Sequence, residues 1–189
     1  MLSMLTEEPD AYLAQLQAAK LNDDVEVAHY AATAVAQISK ESDLKLQQLE
    51  RAFKTDPSAQ NLAEYYDFLG EYLGSGLAEG RVAQIQRQQY ARLLARRCER
   101  EDTLELRIRY ATALADAGQI DEAQAVTDQL VLDVPEEQEV WMLCLRLAVM
   151  RRDGDEVHRV IDAIDKQHVY LSAANREELA FWRNGEEAR

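Results

Sequence analysis

Proline and glycine are scarce, three and seven residues in a chain of 189. That is too little punctuation for a protein of many short strands joined by turns. The only two cysteines, Cys98 and Cys144, have no Cys-x-x-Cys spacing and no Cys/His companions. Neither a disulfide framework nor a thiolate zinc site is indicated, and both sit in apolar helical runs where a reduced thiol serves as a small hydrophobe. No apolar run reaches the 18 or more residues that a membrane helix needs, and the N-terminus lacks a signal-peptide pattern. The opening Met1-Leu2-Ser3-Met4-Leu5 is either a native start or the edge of a longer protein.

Positive charge is also in deficit. Twenty-one Lys and Arg face 35 Asp and Glu, for a formal net charge of −14. Such a surface disfavours nucleic acid and anionic lipid and suits a partner with a basic patch. The nucleophile elbow Gly-x-Ser-x-Gly, the P-loop and the Rossmann glycine fingerprint are all missing. Gly74-Ser75-Gly76 is no phosphate cradle, because no Lys follows it and no strand is expected before it. His29, His158 and His168 are scattered without a ligand spacing. Asp153-Gly154-Asp155 lacks the later ligands of a calcium loop and reads as a turn. No catalytic residue, cofactor or metal site is expected.

What remains is rich in Ala, Leu, Gln, Glu and Arg, all good helix formers, and 47% of the residues are apolar. A packed all-α domain follows, and its pattern is repetitive. Leu104 to Glu137 fits a 34-residue helix-turn-helix template. Ala111 and Ala123 hold the small positions where paired helices meet, Gly118 closes the turn, and Pro135 ends the second helix. Asp102 with Glu105, and Asp121 with Gln124, have the spacing of capping boxes. Arg107 stands where the template carries Trp, and Leu130 where it carries Ala.

One period later Trp141 regains the Trp position, Asp153-Gly154-Asp155 makes the turn, and Val157, Ile161 and Ile164 line the second helix. Upstream, Ala52 and Pro57 have the spacing of a repeat end. Counting back gives a unit with Val27, Ala31, Ala34, Val35 and Ile38 on its apolar face.

Pro57 and Pro135 lie two periods and ten residues apart. The extra ten residues fall in the intervening unit, which shows an aromatic first helix (61–73), a glycine-rich stretch from Gly74 to Gly80, and a long second helix (81–100). The expected organisation is therefore one solenoid domain, 1–189. It has a capping helix at 10–25, repeats at 26–59, 60–103 (with the insertion), 104–137 and 138–171, and a closing helix at 172–184. Ser172 caps the last helix, with Leu179, Phe181 and Trp182 as buried anchors.

Residues 104–171 resemble the tetratricopeptide repeat family, which implies a helical-hairpin solenoid that binds extended peptides or helices in a concave groove. The N-terminal run from Asn22 to Ala34 is HEAT-like in texture. That run, the segment Tyr65-Tyr66-Asp67-Phe68-Leu69-Gly70-Glu71-Tyr72-Leu73-Gly74-Ser75-Gly76-Leu77 and the ending Val169-Tyr170-Leu171-Ser172 together resemble the cytosolic repeat domain of the PelE family. PelE proteins belong to the bacterial Pel exopolysaccharide synthesis and secretion machine. This resemblance implies a protein tethered to the cytoplasmic face of the inner membrane through helical spans that this chain lacks. It also implies contacts with PelD and other Pel inner-membrane components.

Three groups are candidates for partner binding. Arg81, Arg92 and Arg96 fall on one side of the long helix, where they either meet an acidic partner or lipid headgroup or pair with acidic neighbours in the stack. Tyr65 or Tyr72 is expected to be partly exposed, and Phe68 to be core. Gly76 marks the enlarged turn, since insertions in solenoids project from one face. The functional expectation is a non-catalytic scaffold for protein partners. A free cytosolic adaptor or co-chaperone is the alternative, and an RNA-binding repeat is opposed by the acidic charge.

Overall fold

The computed structural model describes residues 9–184, with side chains from 12 to 183, so Met1 to Leu5 lie outside the described residues. Among the described residues every regular element is a helix. Two compact units are present, Met1–Gln86 and Arg87–Arg189.

In the first unit helix α1 (Pro9–Ala19) packs on α2 (Val25–Thr55), and α2 packs on α3 (Ala59–Gly74). No glycine or proline interrupts the sequence between Val25 and Thr55. The result is a single helix of 31 residues, about 46 Å long at 1.5 Å per residue. The Asp24 carboxylate starts it by accepting the amide protons of Glu26 (2.9 Å) and Val27 (3.5 Å). The hairpin expected over 26–59 is thus not a hairpin, because nothing in the segment releases the backbone from the helix. From its expected apolar face only Ala31 is buried; Ala34, Val35 and Ile38 are half-buried, and Val27 is exposed. The second half of α2 meets α3 through Phe53 and Tyr65, whose ring centroids lie 6.2 Å apart. Leu62 and Leu69 complete the buried side of α3.

Helix α4 (Gly80–Cys98) is one unbroken helix, and the division between the units falls inside it. The ten extra residues of the 60–103 segment are not gathered in a loop. They are absorbed mainly as helix: α3 and α4 have 16 and 19 residues, against 13 and 14 in the next pair. The turn from 75 to 79 is short and folded on itself. Ser75 Oγ donates to the Tyr72 carbonyl (2.8 Å) and accepts from the Leu77 amide (3.3 Å).

The second unit continues with α5 (Leu104–Asp116), α6 (Ile120–Asp133), α7 (Gln138–Arg151), α8 (Gly154–Lys166) and α9 (Ala173–Asn184). Helix α5 packs on α6, α6 on α7 and α7 on α8, and α5 also touches α7. The segments 104–137 and 138–171 each carry one helical pair. Ala111 and Ala123 are wholly buried, so the paired backbones approach closely where the sequence offers only a methyl group. At Gly118 φ is +75°, and the Gln119 amide reaches back to the Leu114 carbonyl at 2.9 Å, closing α5 in the left-handed conformation that glycine adopts freely.

The caps differ from expectation. Thr103, not Asp102, caps α5, its hydroxyl accepting from the Leu106 amide (3.3 Å). No side chain caps α6, whose start is favoured instead by Asp121 and Glu122 in its first turn, near the positive end of the helix dipole. Ser172 caps α9 as expected, accepting from the Asn175 amide (3.2 Å), and Asp153 of the expected turn caps α8, accepting from the Glu156 amide (3.0 Å).

Trp141, Leu145, Val157, Ile161, Ile164, Leu171 and Leu179 form one apolar cluster, with Trp182 half-buried against it. Phe181 is not an anchor. It is 67% exposed and rests edge-on against Trp182 at 5.2 Å, because Leu179 and Trp182 already fill the inward side of α9.

Candidate interaction surfaces

Three helices of the second unit, α5, α7 and α9, build a groove of about 490 Å³. Its volume lies within the range of specific ligand clefts. Ile108 and Thr112 come from α5, Met142 and Arg146 from α7, and Asn175 and Glu178 from α9. Gln138 fixes the far wall: its Oε1 accepts from the Ser172 amide (2.8 Å) and the Asn175 side-chain amide (3.0 Å), joining α7 to α9. Arg146 pairs with Asp116 at the end of α5. Glu139 and Glu178 therefore set the sign of the groove, with the Ile108 and Met142 side chains also lining it. A few apolar side chains beside two carboxylates suit a segment that presents apolar anchors and basic side chains.

On another side of the unit, a cavity of about 600 Å³ is lined by Cys98, Arg107 and Tyr110 among others. Arg107 is held by Asp133 at 2.6 Å, and its hydrogen bond, followed by that of Gln129, lowers the Asp133 carboxyl below its ordinary value. Burial, reinforced by Asp102, pushes the Cys98 thiol up. Burial likewise pushes Cys144 up to about 12. Both thiols stay protonated at neutral pH, which fits a packing role. Among the described residues no cluster of three or more His, Cys, Asp or Glu could hold a metal ion, and no helix is long and apolar enough to cross a membrane.

The residues singled out from sequence do not form one site. Tyr65 and Tyr72 are 2% and 5% exposed, so neither lines a groove. They lie two helical turns apart on the side of α3 that faces α2. Tyr72 tolerates burial because its hydroxyl donates to Asp43 at 2.8 Å; burial first, and then this carboxylate, raise its phenol to about 12. Phe68 is the half-buried member instead, with the Lys45 ammonium 4.1 Å from its ring centroid. Gly76 is exposed with φ +72°, in the turn that Gln17 of α1 ties down through the Ser75 carbonyl (3.5 Å). Arg81, Arg92 and Arg96 are all exposed on one side of α4. Sequence reasoning missed the groove residues Gln138, Met142 and Glu178. Their signal was positional: each lies on a first helix of a pair, or on the helix after the last pair.

Residues 77–147 match the tetratricopeptide repeat family, a span that runs from the α3–α4 turn through α4, α5 and α6 into α7. No curated protein and no solved structure matches the chain.

Proposed function

We propose that this protein is a non-catalytic scaffold that holds a partner protein in the groove across α5, α7 and α9. The groove itself carries the reading. It joins three helices, sets Ile108, Met142 and Leu143 among polar side chains that include Glu139 and Glu178, and has a wall fixed by Gln138. The repeat match over residues 77–147 supports protein binding as the role of such a surface. The partner segment is a helix or extended peptide with apolar anchors and Lys or Arg at the positions that meet the two glutamates.

The narrower reading places the chain as the cytosolic part of an inner-membrane component of Pel exopolysaccharide synthesis and secretion, and so of biofilm formation, with PelD among its partners. Its support is the resemblance of the 65–77 segment and the flanking runs to PelE. A free cytosolic adaptor using the same groove is the alternative.

Titration calorimetry against the cytosolic region of PelD tests both levels. Binding that is lost in Glu139→Lys/Glu178→Lys and in Met142→Arg, with helicity unchanged, supports the narrower reading. If PelD does not bind but a basic, leucine-containing peptide does, and the same variants abolish it, the adaptor reading holds. Binding of either partner that survives both variants removes the groove from the function.

A further inference from the structure

Helix α4 combines two features. It carries five arginines and no carboxylate in 19 residues, within a protein of net charge −14. It also leaves two branched aliphatic side chains in water: Val82 is 56% and Ile85 55% exposed. These features coincide on one face. Taking Arg81 as origin and about 100° per residue, Arg92, Ile85, Arg96 and Val82 follow at about 20°, 40°, 60° and 100°. The strip is about 22 Å long from Arg81 to Arg96 and belongs to a single helix, so helical geometry alone fixes it. Glu79 precedes it and Glu99 follows it; between them the strip is cationic and apolar. Arg96 has interactions within the protein. Arg81 and Arg92 make no ion pair among the described residues.

We infer that this face of α4 is a second docking surface, which takes an acidic amphipathic helix of a partner protein. Charge complementarity argues for the acid, and the exposed Val82 and Ile85 argue for an apolar stripe that a purely ionic contact would not need. A helix is favoured over an anionic membrane for a reason of scale. At physiological salt a charge is felt over about 8 Å, so a rod about 10 Å across senses α4 and little else. A lipid plane reaches well beyond one helix, and a protein of net charge −14 as a whole is repelled by it.

The probe is a fluorescent 21-residue helical peptide with Leu at i, i+3 and i+7 and Glu between. It is compared, by anisotropy on the full chain, with a scrambled peptide of the same composition. Two charge variants are made, Arg81→Glu/Arg92→Glu and, in case that one fails to fold, the neutral Arg81→Gln/Arg92→Gln. Val82→Ser/Ile85→Ser tests the apolar part. The expected result is binding of the patterned peptide, weakened about tenfold or more by each pair, with circular dichroism unchanged. The groove variant Glu139→Lys/Glu178→Lys should bind this peptide undiminished, which separates failure of this surface from failure of the groove. Equal binding of the scrambled peptide, retained binding by the folded variants, or flotation with phosphatidylserine vesicles without peptide binding would each overturn the inference.

Discussion

Trp141 donates its indole N–H to the carbonyl of Pro135 at 2.7 Å, reaching back across the loop between α6 and α7. One period earlier Arg107 reaches the end of the same helix α6 and grips Asp133 at 2.6 Å. Two chemically different side chains in one template position thus hold the close of the same helix. Trp141→Phe keeps most of the apolar contact and gives up the hydrogen bond, and should cost about 1 kcal/mol. Trp141→Ala also opens a cavity and should cost about 3–5 kcal/mol. Urea titrations of the two variants would separate these contributions, and equal losses would show that the hydrogen bond carries the whole effect.

Ala111 and Ala123 are wholly buried at the meeting of α5 and α6. Arginine at either position overpacks the interface and buries a charge, and a loss of about 3 kcal/mol or more is expected. Serine adds one atom and should cost far less. Thermal melts of Ala111→Arg and Ala111→Ser that coincide would contradict this packing.

Two neighbouring glycines should respond with opposite signs. A methyl group added at Gly74, the last residue of α3, meets nothing within 4 Å, so Gly74→Ala should stabilise by about 0.5 kcal/mol. At Gly76 the space is also adequate but φ is +72°. Gly76→Ala should therefore destabilise by about 1 kcal/mol. Paired denaturation curves give the two signs directly.

The Tyr72 phenol stands at about 12 in the folded protein, above its ordinary value of 10.0. The neutral form is the one the fold favours, so its contribution is intact below about pH 10. It falls away as the pH rises from 10 towards 12, because the unfolded chain releases that proton first. Tyr72→Phe should flatten the alkaline limb of the stability profile. Asp43→Asn should bring the phenol only part of the way down, since burial is the larger cause. Ultraviolet titration of tyrosinate formation measures both.

The hairpins α5–α6 and α7–α8 were legible because glycine, proline and small residues recur there at the template spacing, and each sits at the turn or contact it implies. Ser172 was legible as a cap for the same local reason, whereas Asp153, read only as part of a turn, also caps α8. The long α2 was not, although its signal was present: a stretch without glycine or proline gives the backbone no place to reverse, whatever the spacing of Ala52 and Pro57. The tyrosines were misplaced because exposure was inferred from their polar tip, and sequence does not show that Asp43 lies within reach of Tyr72. The long second helix of the 60–103 segment was legible, but the glycine stretch was read as an enlarged turn where α3 is lengthened as well. The groove was invisible for a further reason: it joins positions from three helices whose pairing exists only after folding.

Helix α2 buries only Ala31, Leu46 and Phe53 over its 31 residues, and this uneven anchoring sets how its amides meet deuterium. The turns from Val25 to about Gln37 bury a single side chain, Ala31, so they open at a smaller free energy than the turns that bury Leu46 and Phe53. The turns around Leu46 and Phe53 open only when the packing against α3 is broken. Amide protection along this one helix should therefore climb from its N-terminal turns to its C-terminal ones, a gradient of local opening rather than a single cooperative step.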